Sequence, residues 1–174
     1  ADAVIDPKQE DCPYPFKGLC GAAVAYKLIE TLFHVTGKDV EDVDYLMENV
    51  AIATVGDVMD LVDENRIIVK TGLESMKQTK NTGLQALLEV CQIPKEKLSP
   101  YHIGYVLGPC FNASGRLDVA GRVIELLSQK EFGDAVCIAR ELKELNEQRK
   151  SMTYQGMQKA EEYIISQKIE NQEI

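Results

Sequence analysis

Apolar residues recur along most of this chain at intervals of three and four, the period of a helix with one buried face. Within 19–35, Val24, Leu28, Leu32 and Val35 keep that spacing, and Gly37 supplies a stop. Asp39 is placed to cap a helix reaching residue 53, with Val43, Leu46, Met47, Val50 and Ala51 turned inward. Further helices are expected over 64–77, despite the β-branched run Arg66-Ile-Ile-Val-Lys70, and over 83–91. Ser99-Pro100 reads as a helix start, with serine as cap and proline in the first turn, and Gly108-Pro109 as its end. A short helix is expected over 119–127. The last segment, 134–168, repeats Ala135, Ile138, Leu142, Leu145, Met152, Ala160 and Ile164 on one side. At 1.5 Å per residue it spans roughly 50 Å, longer than a globule of this size is wide. It must wrap the surface, bend at Gly156, or project.

Two stretches break the helical pattern. Residues 3–5 are short and apolar before Asp6-Pro7, which reads as the end of a strand. Pro13 and Pro15 exclude a helix interior and make 11–15 an extended loop. The pattern as a whole predicts one mainly helical domain without internal repeats.

Charge and cysteine usage narrow the picture. The net charge is −9, with acids gathered at 41–44, at 60–64 and along the last helix. A protein that grips a nucleic-acid backbone needs a basic stripe, so binding by this chain requires a channel that is locally basic. No apolar run approaches the roughly 18 residues of a membrane helix, and no signal segment opens the chain. The five cysteines are odd in number and lack C-x-x-C spacing, as expected for free thiols in a reducing cytoplasm.

The densest chemistry lies in Gly108-Pro-Cys-Phe-Asn-Ala-Ser-Gly-Arg-Leu117. It reads as a phosphate-holding loop. Asn112 and Ser114 offer donors, Gly115 allows close backbone approach, and Arg116 brings a guanidinium fork suited to phosphate oxygens. An ordinary turn also explains the asparagine and glycine, but it does not need the arginine. Upstream, Asp57 follows Gly56 at the end of an apolar run, where a bend can aim its carboxylate into a cleft. A helix-capping acid is the other reading of the same residue. Asp60, three positions on, is expected to cap or face solvent. Cys20-Gly-Ala-Ala-Val-Ala25 opens a helix with small residues, for close packing or for amides that face a phosphate. Lys8, Gln9 and Lys27 are expected at the surface, with a substrate-facing role as the second reading. His34 and His102 sit among apolar neighbours and are expected at the edge of the core.

Taken in order, these stretches resemble the RecJ-type single-stranded-DNA exonucleases of the DHH phosphoesterase superfamily. Ala3-Val-Ile-Asp-Pro-Lys-Gln-Glu-Asp-Cys-Pro-Tyr-Pro-Phe16 and Leu19-Cys-Gly-Ala-Ala-Val-Ala-Tyr-Lys-Leu28 look like the segment that follows the Asp-His-His motif in that family. The likeness continues along nearly the whole chain. It implies a mainly α fragment of an α/β DHH phosphoesterase domain. Residues 1–130 would form the C-terminal part of the catalytic domain, and 131–174 a long linker helix toward a second domain. Asp57 matches the family's late metal-binding aspartate and is the expected catalytic residue, with Arg116, Asn112, Ser114 and Gly115 as phosphate contacts. Where the family pattern carries a basic residue this chain has Cys110, and Arg122 is placed to compensate.

The implied reaction is 5′ to 3′ hydrolysis of single-stranded DNA in repair and recombination. It would use Mn²⁺ or Mg²⁺ in a two-metal site, because hard ions suit carboxylate ligands. The Asp-His-His motif and the early acids are not in this sequence, and Asp42-Val-Asp44 belongs to the first turn of a helix instead. The chain by itself is therefore expected to be inactive. Two alternatives remain open: a DHH phosphodiesterase for short oligonucleotides or cyclic dinucleotides, and a non-enzymatic acidic helical interaction domain.

Overall fold

Residues 3–20 run without helix or strand before the first turn of α1 (Gly21–Val35). The structure is a computed structural model and describes residues 3–115 and 120–166. The strand end expected at 3–5 is not formed. A strand needs a neighbour for its amides and carbonyls, and no β-strand occurs among the described residues. Val4 and Ile5 are exposed as a result.

Helix α1 stops where Gly37 takes a φ of 69°, and the amides of Gly37 and Lys38 return to the carbonyls of His34 and Phe33. The single helix expected from Asp39 to residue 53 is divided. Asp39 caps a tight 3₁₀ turn, Val40–Leu46, by accepting from the Glu41 amide at 3.0 Å, and α2 (Met47–Gly56) follows. Helix α3 (Asp63–Lys77) packs along α2, and α4 (Thr82–Val90) is capped by Asn81, whose Oδ1 accepts from the Leu84 amide at 2.9 Å.

The run that begins at Ser99-Pro100 does not end at Gly108-Pro109. It continues as α5 (Pro100–His102), a π-helical turn (Ile103–Leu107) and α6 (Gly108–Gly115). Pro109 has no N–H to give and would break an α-helical ladder. The wider turn absorbs it, with the Gly108 amide reaching back five residues to the Ile103 carbonyl. A side chain at residue 108 would stand 2.9 Å from that carbonyl oxygen, so only glycine fits. Helices α7 (Ala120–Ser128) and α8 (Phe132–Ser166) complete the order.

Two apolar clusters hold these elements. The smaller joins Leu19, Cys20, Ala23 and Tyr26 to Val50, Ala51 and Ile68, fastening α1 to α2 and α3. The larger joins Met76, Leu84, Leu87, Leu88, Ile103, Leu107, Cys110, Leu126, Ile138 and Leu142, so α4 packs against both α7 and α8 and the π turn is tied into the same core. Close approach is enforced at two glycines. A methyl group on Gly72 would lie 2.3 Å from Ala51 Cβ, and one on Gly83 would lie 1.9 Å from the Leu126 carbonyl oxygen.

A polar relay crosses between the clusters. Buried Glu48 accepts from the hydroxyls of Ser75 (2.9 Å) and Thr79 (2.6 Å). Thr79 accepts from the Asn81 amide at 3.1 Å, and Asn81 Nδ2 donates to the Leu127 carbonyl at 2.8 Å. Buried polar groups satisfied in this way fix the relative placement of four helices.

Helix α8 is continuous through Gly156. Ala135, Ile138, Ala139, Leu142 and Asn146 are buried, whereas every residue of 151–166 is exposed. Of the three courses open to it, projection is the one taken. No helix among the described residues is long and apolar enough to cross a membrane.

Candidate active site

Asp57 terminates α2. Its backbone amide bonds to the Ala53 carbonyl at 2.8 Å, while its side chain is exposed and has no protein partner among the described residues. The chain then turns sharply. The Val58 amide returns to the Val55 carbonyl (3.1 Å) and the Met59 amide to the Thr54 carbonyl (3.1 Å), the paired bonds of a Schellman cap. The residue in the left-handed position of that cap is Val58, with φ 55°, where glycine or asparagine is usual. Asp63, at the start of α3, is also left-handed, with φ 45°. The segment joining α2 to α3 is thus strained at both ends.

Asn65 holds this segment in place. Its Nδ2 donates to the Asp60 carbonyl at 2.9 Å and to the Gly18 carbonyl at 2.8 Å, tying the connection to the stretch before α1. Its Oδ1 is buried without a partner. The start of α1 is fastened nearby by Cys20 Sγ, 3.5 Å from the buried Thr54 hydroxyl, and no side chain caps its first turn. Asp60, like Asp57, is exposed.

The proposed phosphate loop is largely a helix. Asn112, Ser114 and Gly115 belong to α6, and Asn112 is exposed. Arg116 lies outside the described residues, so its expected approach to Asp57 is not part of this geometry. Cys110 turns away from any phosphate. It is buried in the larger cluster, with Asn146 Nδ2 3.9 Å from its sulfur. The neighbouring Cys91 thiol and burial push the Cys110 thiol well above its ordinary pKa.

Arg122 does not replace a basic residue at that position, because Glu125 (2.6 Å) and Glu141 both bind its guanidinium. His34 is exposed on the last turn of α1, not at the core edge as expected. His102 is half-buried, and its Nδ1 lies 2.8 Å from Ser99 Oγ. That contact takes the hydroxyl expected to cap α5.

Lys27 belongs to an ionic cluster. It lies 3.3 Å from Glu64 and 3.4 Å from Glu30, and the Tyr14 hydroxyl donates to both Glu64 oxygens at 2.8 Å. Burial works to lower the Lys27 pKa, but the Glu64 and Glu30 carboxylates outweigh it and the net shift is upward. Beside this cluster a cavity of about 490 Å³ opens between residues 4–14 and α1. Gln9 helps line it and donates to the Val4 carbonyl at 3.3 Å.

What the described residues bring together is the end of α2 and the π turn. A methyl group on Gly104 would stand 3.5 Å from Val55 Cγ1, two residues before Asp57. No group of three or more histidine, cysteine, aspartate or glutamate side chains able to hold a metal ion occurs among the described residues.

Known proteins share this fold. RecJ from Thermus thermophilus in complex with Mn²⁺ superposes with a TM-score of 0.76 at 26% identity, over 87% of this chain and 22% of that one. A crystal structure of exonuclease RecJ bound to manganese gives 0.77 at 26% identity, over 84% of this chain and 37% of that one. In sequence, the single-stranded-DNA-specific exonuclease RecJ of Escherichia coli is 36% identical over 180 residues, covering 98% of this chain and 31% of the relative. The RecJ of Bacillus subtilis is 34% identical over 165 residues, covering 95% and 20%. No protein-family model matches the chain.

The helical scaffold and these superpositions define a partial phosphoesterase domain of the DHH class. Within that class, the chain is similar over nearly its whole length to the RecJ-type exonucleases, and it spans between a fifth and a third of the length of the curated relatives it matches.

Proposed function

We propose that this chain is the part of a single-stranded-DNA exonuclease that contributes the late metal-binding carboxylate, Asp57, to a site hydrolysing phosphodiesters from the 5′ end. The observation that carries this reading is the presentation of Asp57. It is an exposed acid with no protein partner among the described residues, at the end of a helix, fixed by a strained cap and by Asn65 behind it. A solvated capping acid does not need that support. Strain of this kind collects where a side chain must be aimed.

The carboxylate is a hard oxygen donor of the kind that Mn²⁺ and Mg²⁺ prefer. A divalent ion held there supplies activation of water and neutralisation of phosphate charge. The chain's own contributions are the fixed direction of Asp57 and, on α6, Asn112 as a candidate donor to substrate phosphate. Ser114, Gly115 and Arg116 complete that candidate set by family likeness. Residues 1–130 are read as the end of the catalytic domain and 131–174 as a helix toward another domain, supported by the exposure of 151–166 on every face. The working location is the cytoplasm and the working context is DNA repair and recombination.

Asp57→Ala in the full-length protein should lower single-strand hydrolysis by about 100-fold or more, as loss of a metal ligand requires, with an unchanged circular-dichroism spectrum. Undiminished turnover in that variant would remove Asp57 from the site. The purified 174-residue chain should release no nucleotides from single-stranded DNA in Mn²⁺, because one carboxylate cannot assemble the ion pair. Assaying dinucleotides beside long strands on the full-length protein separates exonuclease from short-oligonucleotide phosphodiesterase.

A further inference from the structure

Tyr101 and Tyr105 stand on the solvent side of the helix that leads into α6, 63% and 69% exposed. Their rings stack on each other with centroids 4.9 Å apart and planes 27° from parallel. His102 meets Tyr101 edge-on at 5.8 Å, and its own ring is held by Ser99. Neither tyrosine hydroxyl has a protein partner among the described residues. The two rings are therefore pre-ordered but not used by the fold.

Their position connects them to the candidate site. Gly104 lies between them in sequence and packs on Val55 of α2, two residues from Asp57. Asn112 follows Tyr105 by seven residues on the same continuous helical run, roughly 10 Å along its axis, and is also exposed.

We propose that Tyr101 and Tyr105 form a stacking platform for a base of the single-stranded DNA substrate, beside the phosphate that Asp57 serves. The proposal rests on the exonuclease reading and adds a base-binding subsite to it. Aromatic faces suit this substrate because every base has a π surface, so stacking holds the strand without reading its sequence. They also answer the charge problem. A chain of net charge −9 gains little from phosphate neutralisation, whereas stacking requires no cation.

The test uses the full-length protein in a chelating buffer, which prevents cleavage, and fluorescence anisotropy of labelled strands roughly 12 nucleotides long. One strand is oligothymidylate and the other is abasic. Tyr101→Ala/Tyr105→Ala should weaken oligothymidylate binding about 10-fold or more, whereas Tyr101→Phe/Tyr105→Phe should bind as wild type does. The abasic strand should bind wild type weakly, and the alanine pair should not weaken it further. Photocrosslinking of a 5-iododeoxyuridine strand to wild type should map to Tyr101 or Tyr105, a readout that stands even if the alanine pair fails to fold.

Equal binding of the two strands by wild type, or crosslinks that map elsewhere, would overturn the platform and leave the Asp57 reading intact. Full activity of Asp57→Ala alongside base-dependent binding through the tyrosines would instead overturn the nuclease reading and keep the platform.

Discussion

Val58 follows Asp57 with a φ of 55°, so a β-branched residue occupies the left-handed position that closes α2. The side chain is 87% exposed and contributes little burial in return. Left-handed backbone costs a non-glycine residue roughly 1–2 kcal/mol, part of which glycine gives back through its freer unfolded chain. Val58→Gly should therefore stabilise the chain by about 0.5–1 kcal/mol in urea unfolding. A lower midpoint in the variant would show that the turn is not strained.

Asn81 performs two tasks, capping α4 and donating to the Leu127 carbonyl. Asn81→Ala removes both and leaves a half-buried carbonyl without its donor. The expected loss is about 2 kcal/mol, combining a cap with a hydrogen bond. Asn81→Asp keeps the cap acceptor but not the donor, and should fall between wild type and alanine. Chemical denaturation of the three proteins orders them.

Stability should decline on the alkaline side. Burial, then the Glu64 carboxylate, raises the Tyr14 pKa above its ordinary value, and burial followed by Asp44 raises that of Tyr26. The Lys27 pKa is raised as well, its carboxylate partners outweighing burial. All three folded-state values lie above the unfolded ones, so their contribution is whole below about pH 10 and is lost as pH rises beyond it. Tyr14→Phe should flatten that decline in a series of thermal melts between about pH 8 and 11. An identical slope in the variant would exclude Tyr14 from the effect.

Ending the chain after Lys150 should change its unfolding free energy by less than about 0.5 kcal/mol, as for other exposed positions. The buried residues of α8, Ala135 to Asn146, all precede the cut. Guanidinium unfolding of the shortened chain measures this directly. A large loss would show that the exposed half of α8 folds back on the body of the protein.

Periodicity made most helices readable, but not always their buried faces. Helices α3, α4 and the first half of α8 bury an apolar face, whereas the expected face of α1 is not buried, since Leu28, Leu32 and Val35 are exposed and Ala23 and Tyr26 pack inward instead. Periodicity also failed where local chemistry was overruled. Gly108-Pro109 is a stop signal in sequence, yet burial of Ile103, Leu107 and Cys110 in one cluster keeps the backbone helical across it. The strand expected at 3–5 depends on a partner outside its own residues, so its apolar composition could not decide the matter.

At the candidate site, the exposed place of Asp57 at the end of α2 was legible from its position after Gly56, but the support of that turn was not. Asn65 acts through carbonyls of residues 18 and 60, contacts that leave no local pattern. The left-handed valine gives no warning either, since valine in sequence argues for the opposite backbone. The burial of Cys110 and the pairing of Arg122 with Glu125 and Glu141 left no local signal, because inward orientation and pairing across helices are three-dimensional facts.

The π turn before Gly108 has a geometric consequence for everything after it. Fitting one surplus residue into a single coil rotates the downstream segment by about 100° relative to an unbroken spiral. The compass bearing of Asn112 is therefore set by how that surplus residue is housed: tightening 103–107 to α-helical geometry at the same chain length would swing it to another side of the molecule, whereas deleting one position there would remove the surplus and leave it facing as before. The hydrogen-bonding pattern of a single turn becomes a means of re-aiming the surface that follows.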